Sequence, residues 1–341
     1  MPRNSMLRFW TVAATGLLLF LAVVYISITN GAFDIPVKDV FGTLLRIHPN
    51  PDYDLVLFDF RLPRIVIAAL VGLGLGIAGA VIQGITRNGL ADPGILGINA
   101  GAGSVVVLFM LLYQGKMSGI GWASAMAMPL FGWVGGVGAA VLIFLFAWSN
   151  GRLDSQRLIL SGIAIASGLG AFTMYISLKM NPQDFEMATV WLSGSVWNAN
   201  WRFVAAALPW LVVLVPFIWW KSRLLDLFQL QQDSAVSVGV AVDKETVLLL
   251  LASVGIVAAC VSVSGSMGFV GLMAPHIAKR LVGIQHKKVI PVCGLVGMVL
   301  VVAADFIGKT IFAPVTLPAG IVIAILGVPY FIYLLFRAKS Q

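Results

Sequence analysis

Few residues in this 341-residue sequence carry chemistry, and their spacing excludes most reactions. Gly308-Lys309-Thr310 matches the end of a phosphate-binding loop. That loop needs a Gly five positions earlier so that backbone amides can cradle phosphate; Ala303 stands there, and no strand precedes it. His48, His276 and His286 show no metal-ligand spacing, so buried or helix-capping roles are expected of them. Cys260 and Cys293 fall in apolar runs, where Cys behaves as a small hydrophobe rather than a disulfide partner. No Gly-x-Ser-x-Gly elbow presents a nucleophile. Neither a cofactor nor an enzymatic activity is expected of this chain alone. The deepest ionisable groups, His276 and Asp305, lie near the ends of apolar runs. Ion-coupled carriers hold such groups mid-membrane, so that reading and a channel stand only as alternatives. Any energy for transport must then come from another chain.

The elements that position these residues follow from composition. Hydrophobic residues make up 60% of the chain, charged residues 11%, and mean hydropathy is +0.97. A soluble domain carries roughly 25% charged residues, so lipid must solvate most of this surface. A spanning helix needs about 20 apolar residues. That ruler gives ten spans: 9–29, 65–85, 95–113, 125–147, 158–178, 203–220, 246–264, 268–281, 289–307 and 319–336. The eighth is short and contains Pro275, His276, Lys279 and Arg280. The pattern predicts an all-α polytopic bundle forming a single transmembrane domain over residues 1–341. With both termini cytoplasmic, fourteen of the 22 Lys and Arg residues fall inside, which satisfies the positive-inside rule. The net charge of +8 therefore reflects topology and anionic lipid, not nucleic acid. The basic start and long apolar run predict a retained first helix rather than a cleaved signal.

Small residues recur at four-residue spacing: Gly72 and Gly76, Ala80 and Gly84, Gly97 and Gly101, Gly132 and Gly136. Such faces let helix backbones approach closely where lipid supplies no hydrophobic drive. Two extramembrane stretches are large enough for structure, the outer 30–63 and the inner 221–245. Within the inner one, Leu224, Leu225, Leu227, Phe228 and Leu230 predict a short helix under the membrane, and Ser234 to Val238, closed by Gly239, a second. Exposed apolar residues beside polar ones mark docking sites, yet a solvated connector fits the chemistry too.

Polar islands interrupt the apolar runs in a distinctive order. They are Arg61-Leu62-Pro63-Arg64, Gly79 to Gly84 with Gln83, and Arg87-Asn88-Gly89-Leu90-Ala91-Asp92-Pro93-Gly94 running on to Gly97. Gly268 to Ile277, with Pro275-His276, follows, then Ala304-Asp305, Leu317-Pro318-Ala319-Gly320 and Gly327-Val328-Pro329-Tyr330-Phe331. From about Arg61 to Phe336 this resembles the FecCD-type permeases, the membrane subunits of iron-siderophore, haem and vitamin B12 ABC importers. The resemblance implies ten helices in a bacterial plasma-membrane subunit, a second permease, two cytoplasmic ATP-binding subunits and an extracytoplasmic substrate-binding protein. It implies that Arg61, Arg64 and Lys309 pair with carboxylates of the docking protein, although interfacial snorkelling is the alternative for the two Arg residues. It implies further that 221–245 seats on the ATPases through Leu224, Leu227, Phe228, Leu230, Ser234, Val238 and Gly239. The fifth and tenth helices would line the path between the two permeases.

Asn88, Asp92 and Pro93 read as a helix break and restart, with Asp92 or Asn88 as cap and Pro93 in the first turn. Pro275 and His276 read as a second break. The cargo implied is a ferric siderophore, with hydroxamate chelates preferred and vitamin B12 or haem the alternative. Departures from the family pattern at Gly89, Met267, Lys309, Thr316 and Ala319 cluster on the outer face and near the path. They suggest pairing with a paralogous permease rather than a second copy.

Overall fold

The computed structural model describes residues 3–31, 35–47, 50–113, 122–149, 152–229, 241–313 and 315–338. Apolar runs too long to bury in a globule become helices because lipid cannot satisfy open backbone groups. Helix α1 is Arg3–Thr29; α2 (Val37–Leu44) and α3 (Pro51–Asp54) follow outside it. A π-helical stretch, Leu55–Arg61, runs directly into α4 (Leu62–Thr86), and a 3-10 turn at Pro93–Leu96 precedes α5 (Ile98–Leu112). Helix α6 (Trp122–Ala147) ends in a two-stranded ribbon, Trp148–Ser149 with Arg152–Leu153, before α7 (Ser155–Ser177). Then come α8 (Pro182–Leu192), α9 (Trp201–Trp220), α10 (Ser222–Leu227), α11 (Val242–Ser264), α12 (Val270–Val282), α13 (His286–Thr310) and α14 (Ala319–Ala338).

Seven of the described helices are long and apolar enough to cross a membrane, and α5 and α14 are shorter apolar helices. With the thirteen-residue α12 they correspond to the ten spans expected. Three features were not anticipated. The helix expected from 65 begins at Pro51, so the outer stretch delivers a continuous helix of 36 residues. Helix α2 and helix α8 add outer structure. Both are short, and each starts where Pro fixes the first backbone angle: Pro36 at the N-cap of α2, and Pro182 after Asn181, whose side chain caps Asp184 N in α8.

The core is built on α4, α11 and α13. Helix α4 is buried along most of its length, while α1 is peripheral. Close approach is set by glycine. A Cβ on Gly72 would lie 2.2 Å from the Gly297 carbonyl oxygen, and one on Gly297 would lie 2.0 Å from that of Gly72. One turn away, Gly76 faces the Cys293 carbonyl. The expected small-residue face of α4 therefore exists, and its partner is a matching Cys293-x-x-x-Gly297 face on α13.

Candidate functional site: an inner loop, an outer cation cluster and the beam between them

At the inner end, α9 closes with Trp219 and Trp220, and Lys221 turns the chain into α10. Lys221 Nζ donates to both carboxylate oxygens of Glu245 at 2.7 Å, tying this turn to the first turn of α11. Trp219 Nε1 donates to the Lys287 carbonyl at 3.1 Å. Helix α10 turns Leu225 and Phe228 into the core, leaves Leu224 and Leu227 half-buried, and exposes Arg223. Asp226 makes the link from α10 to α13. Its Oδ1 accepts from the backbone N–H of His286 at 2.9 Å and pairs with His286 Nδ1 at 2.6 Å. His286 is fully buried at the first position of α13. A helix start leaves backbone N–H groups without partners, and this carboxylate takes one.

Four of the seven residues expected in the docking loop, Leu230, Ser234, Val238 and Gly239, lie outside the described residues. Of the other three, Phe228 is 3% exposed and packs within the chain's own core. Leu224 and Leu227 retain accessible surface.

At the outer end the three expected cations are engaged within the chain. The Arg61 guanidinium donates to the Ile28 carbonyl, in the last turn of α1. Arg64 grips Asp305 as a fork, with Nε 2.8 and 3.0 Å from the two oxygens and a terminal nitrogen at 2.8 Å. Lys309 Nζ donates to the Ser27 carbonyl and to its hydroxyl, each at 2.9 Å. The last carbonyls of a helix lack intrahelical partners and carry partial negative charge, so cations suit them. The cluster thus ties the end of α1 to α4 and α13. Asp305 stands out in the sequence as a deep ionisable group, but nothing local marks it as the partner of a residue 241 positions away.

Between the two ends lie the helix breaks. Asp92 Oδ1 accepts from Gly94 N at 2.7 Å and caps the 3-10 turn that opens with Pro93. Asn88 Oδ1 accepts from Leu90 N at 3.0 Å and holds the preceding turn. Pro275 and His276 are a correction. They sit inside α12, and the chain breaks instead at 265–269, where Gly265 and Phe269 have positive φ. Pro275 has no N–H for the Gly271 carbonyl one turn back, which would otherwise break the ladder. Gln83 Nε2 lies 3.5 Å from that carbonyl, and Lys279 Nζ donates to Gln83 Oε1 at 3.1 Å. The His276 ring meets Tyr330 edge-on at 5.7 Å. Gln83→Leu should leave the Gly271 carbonyl dry and unpaired. The expected loss is about 1–3 kcal/mol of stability, read by thermal unfolding in detergent.

A half-open cavity of about 540 Å³ lies along α5, α7 and α8. Its polar wall is small and uncharged: Asn99 Nδ2 donates to Ser266 Oγ at 3.1 Å, and Thr173 shares a 2.8 Å hydroxyl bond with Ser104. Helices α7 and α14 leave apolar faces exposed, among them Leu160, Ile163 and Met174 on one, and Ile325, Leu326 and Ile332 on the other. Among the described residues no His, Cys, Asp and Glu group could hold a metal ion.

A membrane-spanning bundle with polar clusters at its two ends is the architecture of a polytopic membrane protein, and its relatives are transport permeases. The chain belongs to the FecCD transport family, whose model matches residues 18–337. It is 57% identical to the iron-uptake system permease protein FeuC of Bacillus subtilis over 322 residues, 94% of this chain and 96% of that protein. It is 44% identical to the iron(3+)-hydroxamate import system permease protein FhuG of the same organism, over 96% of this chain and 97% of that one. A solved ABC transporter described as of the metal-chelate type, in an inward-facing conformation, superposes with a TM-score of 0.82 at 26% identity. The match covers 96% of this chain and 99% of that one.

Proposed function

We propose that this chain is the permease subunit of an ATP-driven importer of the bacterial plasma membrane. It moves a ferric siderophore, preferentially a hydroxamate chelate, from an extracytoplasmic binding protein to the cytoplasm. The observation that carries this is likeness along nearly the whole length to two iron-import permeases. In this reading ATP is hydrolysed by two partner ATP-binding subunits. The exposed apolar faces of α7 and α14 suit a second permease, and the uncharged cavity wall suits a bulky chelate that must pass without being gripped. The test is deletion of the gene followed by growth on individual iron chelates. Loss of growth on ferric hydroxamates, restored by the gene, is expected; unchanged growth on every ferric chelate would overturn the reading.

In this reading the loop 221–245 is cytoplasmic and seats on the ATPases. Leu227→Asp should abolish co-purification of the ATPase while the permease still inserts, because Leu227 is only half-buried. Phe228→Asp does not test docking, because it places a carboxylate in the core. The permease partner is a paralogue rather than a second copy, given the departures at Gly89, Met267, Lys309, Thr316 and Ala319. Co-expression with the ATPase alone should give no transport-competent complex. An active complex without a second permease would reject that pairing.

A further inference from the structure

Helices α10 and α13 meet in an inner joint at Asp226 and His286. We propose that Asp226 is a positioning residue through which displacement of the inner loop enters the α4–α13 pair; this rests on the importer reading above. A six-residue helix is too short to hold itself in water, so α10 takes its position from its anchors. The anchors at Trp219 and Lys221 belong to α9 and the turn after it. Asp226 is the polar anchor of α10 itself among the described residues, and it holds both the backbone N–H and the ring of His286 at the start of α13.

The imidazole of His286 fills the gap beside this bond. A Cβ on Gly84 of α4 would lie 3.3 Å from His286 Nε2 and 3.2 Å from Leu225 Cδ2. So α10, α13 and α4 meet around one ring. Above it the Gly72–Gly297 contact locks α4 to α13, which is 25 residues long in all, roughly 37 Å at about 1.5 Å per residue. Its far end carries Asp305 and Lys309, bonded to Arg64 and Ser27. One stiff pair of helices therefore joins the inner loop to the outer cation cluster. The covalent route through α9 carries two interior prolines, Pro209 and Pro216, against the single Pro291 of α13, so its hydrogen-bond ladder is interrupted more often.

The test uses the complete importer, with both permeases, the ATPases and the binding protein, reconstituted in vesicles. ATP hydrolysed and ferric chelate imported are measured together. Asp226→Ala should leave ATPase co-purification and hydrolysis at the wild-type level. ATP consumed per chelate should rise about ten-fold, the scale on which one lost charge-assisted hydrogen bond shifts an equilibrium. Asp226→Asn, which keeps the shape and one acceptor oxygen, should fall between. Gly84→Val, which wedges the ring without touching the carboxylate, should uncouple in the same direction. A wild-type ratio in Asp226→Ala, or in Asp226→Asn and Gly84→Val together should the alanine variant not fold, overturns the proposal. So does loss of the ATPase from the complex, which would make Asp226 a docking residue. Absence of ATP-dependent uptake by the wild-type complex refutes the importer reading instead.

Discussion

Gly297→Ala, a gain of one carbon, should leave almost no monodisperse protein after detergent extraction. The added Cβ would stand 2.0 Å from the Gly72 carbonyl oxygen, and the reciprocal carbon in Gly72→Ala would stand 2.2 Å from that of Gly297. Neither obstacle is a side chain that can rotate away. Both are backbone of helices held by their own ladders, so α4 and α13 must separate. A radial gap of about 0.5–1 Å already forfeits a quarter to a half of the dispersion attraction between facing atoms. In lipid, packing of this kind is the main force holding helices together. The loss should exceed the about 1–3 kcal/mol typical of overpacked cores. Gly138→Ala is the control, since a Cβ on Gly138 meets nothing within 4 Å. Thermal aggregation of the three variants beside wild type decides the matter. Equal midpoints for Gly297→Ala and Gly138→Ala would mean that the α4–α13 contact does not hold the bundle.

The spans were legible because lipid imposes a length on every crossing, and each expected run lies within a few residues of a helix. The small-residue face of Gly72 and Gly76 was legible too, but not its partner, since a spacing names a face and never the helix opposite. Helices α2 and α8 escaped notice because they lie outside the lipid, where no length rule applies. Pro275 misled for a physical reason. Proline usually stops a helix, yet here Gln83 of α4 approaches the carbonyl it leaves unpaired, a remedy supplied from 188 residues away. The same distance problem hides the Asp226–His286 pair, which is 60 residues apart. The resemblance places Phe228 but not Leu225 on the ATPases, and a helix must turn part of this apolar string inward. Leu225 and Phe228 are that part.

The outer cations show what such distance costs an inference about function. From what the resemblance implies, reversing Arg61 and Arg64 to Glu would be expected to weaken docking and leave insertion intact. With Arg64 paired to Asp305, whose side chain is 5% exposed, Arg64→Glu instead sets two carboxylates against each other. Removing one partner of a buried pair is strongly destabilising, about 3–5 kcal/mol, because the other charge is left dry and alone. Asp305→Ala should therefore sharply lower the melting temperature in detergent. Replacing both partners, as Arg64→Leu with Asp305→Leu, should recover most of that loss, since an apolar pair of similar volume is often as stable as the ion pair. The double variant then isolates docking from folding. If Arg64 also meets the binding protein, the recovered permease should bind it more weakly and import less, while its melting temperature stays near wild type. Full uptake by a stable double variant would assign Arg64 to the frame alone, and leave the docking carboxylates to be met by other groups.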